Sequence, residues 1–279
     1  MGSESYEGGI GGFVFACPVS GMIKAKIYSR LEQYPAVLYQ ILQEVESEGY
    51  SCREIYCDTS SVNLSQAVEE VAGMFKVKII PISGGTPQEL AYAESAVRTV
   101  GQMSRSLMLG APHLPQFIWG MADLYAAYIH RALPQKAKGG KSPYQITTGR
   151  PPDDGVLFIH TFGCPCQYEP AYGVEHKRSA KTEWGWFVGI QWPMVLILRP
   201  EDHKVLSISR KKVHCHELMY ARFDPELHDR PRIEFTDFTL RVNDINEAIQ
   251  MAKLHDAETI CKGESDKDRS QDGLDDSTN

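Results

Sequence analysis

The stretch from residue 52 to residue 98 constrains the fold most, because its apolar spacing alternates twice between the periods of a strand and a helix. The strand-like and helix-like runs are residues 52–58, 66–75, 77–82 and 87–98. This order is typical of an α/β sheet flanked by helices. Asp58 ends the first run and Glu94 lies in the last, with 35 residues between them. Because a strand end and a helix face can converge, these carboxylates are candidate ligands for one metal ion.

The chain ahead of this stretch predicts a hairpin and a helix. Residues 13–21 form an apolar run broken by proline and glycine, and residues 22–28 alternate apolar side chains with lysine. That pattern predicts a β-hairpin. Residues 29–49 carry apolar side chains at three- and four-residue spacings, which predicts an amphipathic helix. Residues 1–12 show no periodicity and are expected to be disordered.

The rest of the chain divides into four parts. Helical patterns at residues 97–109 and 114–133 complete a predicted core over residues 13–133, and residues 134–155 are expected to be a linker. Five short apolar runs then predict a small SH3-like β-barrel over residues 156–222. These runs are residues 156–160, 164–168, 184–191, 194–199 and 205–213.

Beyond this barrel the patterns weaken. Residues 223–254 predict a partly ordered extension, with an edge-strand pattern at 233–240 and a short helix at 242–254. Residues 255–279 are charged and polar with few apolar side chains, so we expect a disordered acidic tail.

Charge is distributed unevenly along the chain. The net charge is −7 at pH 7, yet residues 95–222 hold 16 lysines and arginines against 9 acidic residues. A basic middle suits a surface that faces phosphates, and an ordinary solvated surface is the alternative. The candidate DNA contacts are Arg105, Arg131, Lys136, Lys138, Lys141, Arg210, Lys211 and Lys212.

Targeting signals and disulfide spacings are absent from the sequence. No apolar run reaches the roughly 18 to 20 residues of a membrane span, and the N-terminal residues do not have the pattern of a signal peptide. The seven cysteines have no paired spacing, which favours free thiols in a reducing compartment, nucleus or cytoplasm. Cys164, Cys166, His214, Cys215 and His216 offer soft donors, but a one-residue spacer forms no zinc knuckle, so no zinc is expected.

Six segments in order carry a resemblance to a known family. They are residues 86–98, 102–108, 117–119 with 128–131, 141–153, 162–164 and 185–189. Together they resemble the integrase of copia-type retrotransposons, part of the Pol polyprotein, over roughly residues 10 to 222. The resemblance implies a ribonuclease H-like core followed by an SH3-like domain. It also implies DNA as the partner, self-association, and Mg²⁺ or Mn²⁺ held by Asp58 and Glu94 as catalytic residues, with Arg98 beside the DNA.

The sequence also departs from this family. The family's first catalytic carboxylate belongs on a strand ahead of the hairpin, where this sequence has only Glu4 and Glu7 without a strand pattern. The predicted core therefore lacks its first strand, and two-metal chemistry needs that acid to bridge both ions. We expect an integrase-derived chain with impaired catalysis. The alternatives are a non-catalytic DNA- or protein-binding remnant and, for Glu94 with Arg98, a simple helix-surface pair.

Overall fold

A computed structural model describes residues 8–9, 11–59, 65–82, 87–153, 158–170, 182–191 and 193–217. The extension and the tail predicted at residues 223–254 and 255–279 lie outside these residues. The first half contains strands β1 (Gly11–Ala16), β2 (Ile23–Tyr28), β3 (Glu54–Asp58) and β4 (Lys78–Ile82). Its helices are α1 (Tyr34–Ser47), α2 (Gln66–Met74), α3 (Pro87–Gly110) and α4 (Trp119–Ala132). Helix α5 (Pro143–Thr148) precedes strands β5 (Pro165–Tyr168), β6 (Glu183–Gln191), β7 (Met194–Leu198), β8 (Val205–Ser209) and β9 (Val213–Cys215).

The first four strands form two pairs. β1 and β2 are antiparallel, which agrees with the predicted hairpin, whereas β3 and β4 are parallel. In the described residues no ladder joins the two pairs, so the predicted single mixed sheet is split in two. Side-chain alternation identifies a strand but does not specify which backbone it pairs with. The two pairs nevertheless contribute to one core, because Phe13 of β1 and Ile55 of β3 both pack against the buried side chains of α1 and α2.

Helix α1 follows from its apolar spacing. Tyr34, Leu38 and Leu42 recur every four residues and are buried on one face of the helix. This face packs on Val68 of α2 and on the aromatic side chains of β1. Gly49 follows the helix with φ of +85°, a conformation that glycine adopts readily, and it ends the helix as predicted.

Helix α3 is longer than its sequence pattern suggests. The spacing indicated one helix around Glu94 and another from residue 97, but residues 87–110 form one continuous helix. Gly101 lies in its middle and is exposed. A glycine in a helix costs only about 1 kcal/mol relative to alanine, so packing against neighbouring elements outweighs it. Ala96 and Val100 provide that packing, against Ile23 of β2 and Ala126 of α4.

Helix α4 is buried on two sides and connects the two halves of the molecule. Ala126 and Ala127 face α3 and β2, where their small size allows close approach. Met121, Tyr125 and Tyr128 face the sheet of the second half, formed by β5 to β9 and named the second sheet, and they share its core. A helix that is apolar around most of its circumference is expected at such a central position.

The second sheet has five antiparallel strands in the order β8-β7-β6-β5-β9. Four of the predicted strands agree with it in position, but residues 158–160 of the predicted first strand are not in a strand, and residues 154–157 lie outside the described part. The predicted strand at 205–213 is interrupted by a 3-10 turn at Arg210–Lys212, which separates β8 from β9 at opposite edges. The described strands form an open sheet rather than a closed barrel.

The segment predicted as a linker is partly helical and packs on the first half. Residues 136–138 form a 3-10 turn, and α5 follows with Ser142 as its side-chain cap. The ammonium group of Lys138 donates to the carbonyls of Pro18 and Val19, at 2.6 and 2.9 Å. The glycines that suggested a flexible loop instead supply left-handed residues for tight turns, Gly139 with φ of +66° among them.

The hydroxyl of Tyr125 links α4 to the backbone of His160, which precedes β5. The buried hydroxyl of Tyr125 donates to the His160 carbonyl at 2.6 Å and accepts from the His160 amide at 2.9 Å. Replacing Tyr125 with Phe leaves both backbone groups without this partner. We expect the free energy of unfolding to fall by about 1–3 kcal/mol. Urea denaturation measures this loss.

Tyr39→Phe serves as the matched control. Tyr39 packs edge-on against the ring of Phe75, with 5.4 Å between the centroids, and its hydroxyl makes no hydrogen bond within the described residues. We expect Tyr39→Phe to change the unfolding free energy by less than about 0.5 kcal/mol. Equal losses in the two variants would contradict the role given to the Tyr125 hydroxyl.

Candidate metal site and nucleic-acid interface

Asp58 lies at the carboxyl end of β3 and its side chain is exposed. Its neighbour Cys57 points to the opposite face and is buried beneath α1. Burial raises the pKa of the Tyr34 phenol, and the negative charges that Cys57 and Asp58 can carry raise it further. The sequence prediction of a carboxylate at a strand end therefore agrees with the structure.

Glu94 is exposed on the second turn of α3, and α3 packs against β3. The structure thus places the two predicted metal ligands on adjacent elements. Arg98, one turn further along α3, is also exposed. Within the described residues Glu94 and Arg98 form no ion pair at 4.0 Å or less, so the helix-surface pair considered as an alternative is not formed.

Carboxylate oxygens are the ligands that Mg²⁺ prefers, and Asp58 and Glu94 are the described residues that would hold such an ion. In the part of the chain that the structure describes, no group of three or more histidine, cysteine or acidic side chains could hold a metal. The described donor set therefore fits one weakly held ion at most. A pair of bridged ions needs a further carboxylate.

The predicted DNA-contacting residues of α3 share one side of the helix. Arg98 and Arg105 are seven residues apart, two helical turns, and both are exposed. Asp123 of α4 lies on the other side, where burial raises the pKa of its carboxyl group and a hydrogen bond with Ser104 partly offsets the effect. The two arginines therefore make the exposed side of α3 positively charged over two turns beyond Glu94.

The predicted basic loop is held against the hairpin tip. Lys136 and Lys141 are exposed, but Lys138 binds the Pro18 and Val19 carbonyls, so the prediction that it contacts DNA is not supported by its position. Its ammonium group is engaged because the β1–β2 turn presents two carbonyls without strand partners. Cys17, at the start of that turn, lies close to α3: burial raises the pKa of Tyr92, and Cys17 raises it further. The loop is therefore held against the hairpin, whose strand β1 packs on α3.

The third predicted basic group lies on the second sheet. Arg210–Lys212 form the 3-10 turn ahead of β9, with Lys211 and Lys212 exposed. The guanidinium of Arg210 lies 5.4 Å from the ring centre of Phe158, and the ammonium of Lys212 lies 3.7 Å from Glu169. Lys211 and Lys212 remain accessible to a phosphate, whereas Arg210 is partly used in packing.

Arg131, a phosphate candidate in the sequence, is used mainly in packing. Its guanidinium carbon lies 4.8 Å from the ring centre of Tyr128 and 5.6 Å from that of Tyr144. Guanidinium groups stack on aromatic faces in this way. The stack ties α4 to α5, which explains why the segment after α4 does not behave as a loose linker.

The soft donors considered for zinc lie on two faces of the second sheet, with the cysteines toward the core and His214 on the opposite face. Cys164 and Cys166 are buried, and both share hydrogen bonds with Cys215. The hydrogen bond with Cys215 and burial raise the pKa of Cys164. The pKa of Cys215 is raised to about 12: its bond with Cys164 lowers it, but the bond with Cys166 and burial raise it more.

Comparisons with known proteins give structural similarities only. No protein-family model matches the sequence, and no curated protein matches it. A chain of the simian T-cell lymphotropic virus intasome, solved in complex with the PP2A regulatory subunit B56 gamma, is similar with a TM-score of 0.43 and 15% identity, over 73% of this chain and 71% of that one. The HTLV-2 integrase catalytic core domain, solved in complex with magnesium in a trimeric form, is similar with a TM-score of 0.39 and 19% identity. This similarity covers 48% of this chain and 82% of that one.

A search for membrane-spanning helices gave none among the described residues, because no helix there is both long and apolar enough.

Proposed function

We propose that this chain derives from a retrotransposon integrase and binds DNA through its basic middle without joining DNA ends by itself. Six sequence segments support the ancestry. The observation that supports the proposal is the packing of α3, which carries Glu94, against β3, which carries Asp58; both side chains are exposed. A metal-assisted phosphoryl-transfer site needs carboxylates from neighbouring elements, and this packing is compatible with that need.

The proposed DNA surface begins beside these acids. Arg98 and Arg105 extend along α3, and the loop bearing Lys136 and Lys141 is anchored to the hairpin tip next to Tyr92. Exposed cations held on anchored elements bind a phosphate backbone without reading its sequence. Lys138 has a positioning role here, since its bonds to the hairpin keep the loop in place.

The proposed metal is one Mg²⁺ or Mn²⁺ bound weakly by Asp58 and Glu94. A bound ion would supply charge to a phosphate oxygen, while the two carboxylates would orient it. The described residues include no bridging acid that would fix a second ion, which supports impaired catalysis. We further propose self-association, as the family resemblance implies, and light scattering of the purified chain would test it.

Duplex binding is the direct test of the proposed function. We expect a dissociation constant between about 10⁻⁶ and 10⁻⁴ M at physiological salt, little dependence on sequence, and steep weakening as salt rises. Replacing Lys136 and Lys141 together with Ala should reduce the slope of log K against log salt by about two, since each phosphate contact contributes about 0.9. Fluorescence anisotropy of a labelled duplex measures both quantities.

A second double variant controls for the loss of charge itself. Arg53→Ala with Lys78→Ala removes two exposed cations at the starts of β3 and β4. We expect it to leave the salt slope unchanged. Equal effects of the two double variants would place the DNA elsewhere, and the absence of duplex binding by the unmodified chain would refute the proposed function.

A further inference from the structure

The exposed face of the second sheet carries a row of ring and amide side chains that the integrase resemblance does not account for. Gln167 of β5 is the direct cross-strand partner of Trp184 on β6 and of His214 on β9. Direct partners in an antiparallel sheet point to the same face, so the three side chains form one row across three strands. His216 closes the row, with 5.1 Å between its ring centre and that of Trp184.

The row is a connected surface. The His214 and His216 rings are 4.6 Å apart and nearly perpendicular, and Nε2 of His216 lies 3.4 Å from Oε1 of Gln167. The intervening residues point inward: Cys166, opposite Cys215, is fully buried. The inward residues therefore belong to the core, and the outward ones form a separate layer.

This layer is accessible. Trp184 keeps 43% of its surface exposed and His214 is exposed. A tryptophan gains from burial and contributes little to a core when nearly half of it faces solvent. Within the described part of the chain the indole packs against the His216 ring, and its exposed surface is accessible to a ligand.

Positive charge borders the row. Lys211 and Lys212 directly precede β9 and are exposed. The 3.7 Å approach of Lys212 to Glu169 is between two half-exposed side chains, and such pairs contribute little and exchange readily. Lys211 forms no ion pair among the described residues. An aromatic row beside exposed cations is the combination that binds unpaired bases together with their phosphates.

We propose that this face binds single-stranded nucleic acid. One base stacks on the exposed surface of Trp184, the Gln167 amide and the imidazoles of His214 and His216 offer hydrogen bonds to base edges, and Lys211 and Lys212 hold the backbone. A duplex presents its phosphates but not its base faces, so it cannot use the Trp184 ring. The site is distinct from the α3 surface and does not depend on Asp58 or Glu94.

Single-strand binding is tested by anisotropy with labelled twelve-nucleotide dT and rU oligomers and, separately, a duplex of the same length. Replacing Trp184 with Ala should weaken binding to the single strands about 5- to 150-fold, the effect of losing one stacked base. Binding to the duplex should change less than about twofold. Trp184→Phe should retain most of the single-strand affinity, because it keeps a stacking ring. The dT and rU arms establish whether DNA or RNA is preferred.

Leu31→Ala is the matched control, since Leu31 is 46% exposed and lies in the 3-10 turn ahead of α1, outside the second sheet. His214→Ala provides a second probe that leaves the core intact, and we expect about a threefold or larger loss. Unchanged single-strand affinity in both Trp184→Ala and His214→Ala would overturn this inference even if duplex binding is intact. Equal weakening of single strands and duplex would overturn it as well, because it would indicate one shared electrostatic surface.

Discussion

We expect the purified chain to join no DNA ends when it is incubated with Mg²⁺ or Mn²⁺ and a short duplex carrying a recessed end. In-line phosphoryl transfer by two ions requires a carboxylate that bridges them, so that the attacking and leaving oxygens are both held. The described residues supply Asp58 and Glu94 on adjacent elements but no third ligand beside them. Joined products separated on a denaturing gel are the readout, and duplex binding is measured in the same buffer.

A longer polypeptide and one substitution within it test why strand transfer is expected to be absent. A longer polypeptide with an acid-bearing strand ahead of residue 13 should gain strand transfer, and Glu94→Gln in that polypeptide should abolish it. Binding of the duplex should survive in every case, because the basic surface does not depend on the metal. Strand transfer by the unmodified chain, lost in Glu94→Gln, would show that Glu4 or Glu7 replaces the missing first acid and that the impairment proposed above is wrong.

Elements whose pattern is local were predicted well from the sequence. Helix α1 was expected within residues 29–49 and spans Tyr34–Ser47, and β3 was expected to end at Asp58, as it does. In both, each residue's burial follows from its own spacing in the chain. The hairpin of β1 and β2 followed for the same reason, since its two strands are joined by a short turn.

Features that depend on distant partners were predicted less well. The sequence could not show that Lys138 would bind carbonyls about 120 residues away, so its charge alone suggested a DNA contact. Likewise, two glycines at 139 and 140 indicated a flexible linker, but hydrogen bonds within the loop and to the hairpin order it. Helix α3 passes through Gly101 because its neighbours bury Ala96 and Val100, which the propensity of a single residue does not reveal.

The candidate sites illustrate the same limit. Asp58 and Glu94 could be named from the strand end, the helix and the family resemblance. The Trp184 row could not, because it depends on the register of three strands, which a one-residue slip would reverse. The sequence offered His214 and His216 as zinc donors beside cysteines or as surface histidines, and the alternation of β9 places His214 on the opposite face from Cys215.

Gly163→Ala should be among the most destabilising single-methyl additions in the chain. Gly163 lies between the connection that follows α3 and the second sheet with φ of +79°, and an added Cβ would come within 2.6 Å of the Ala111 Cβ and 3.1 Å of the His113 ring. Its carbonyl accepts from Nε2 of His113 at 2.8 Å, and its amide donates to the Phe187 carbonyl at 2.7 Å. We expect a loss of about 2–5 kcal/mol, combining left-handed backbone strain with overpacking. Urea denaturation measures it.

Gly149→Ala separates these two causes. Gly149 caps α5 with φ of +70°, close to that of Gly163, but an added Cβ there meets nothing within 4 Å. Its substitution should lower the free energy of unfolding only by the left-handed backbone strain, about 1–2 kcal/mol. The difference between the two variants then measures the close approach of Gly163 to Ala111 and His113, both in the connection that follows α3. Equal losses would mean that this connection yields to the added methyl, and that the join between the α3 end and the second sheet is looser than the buried His113 contact indicates.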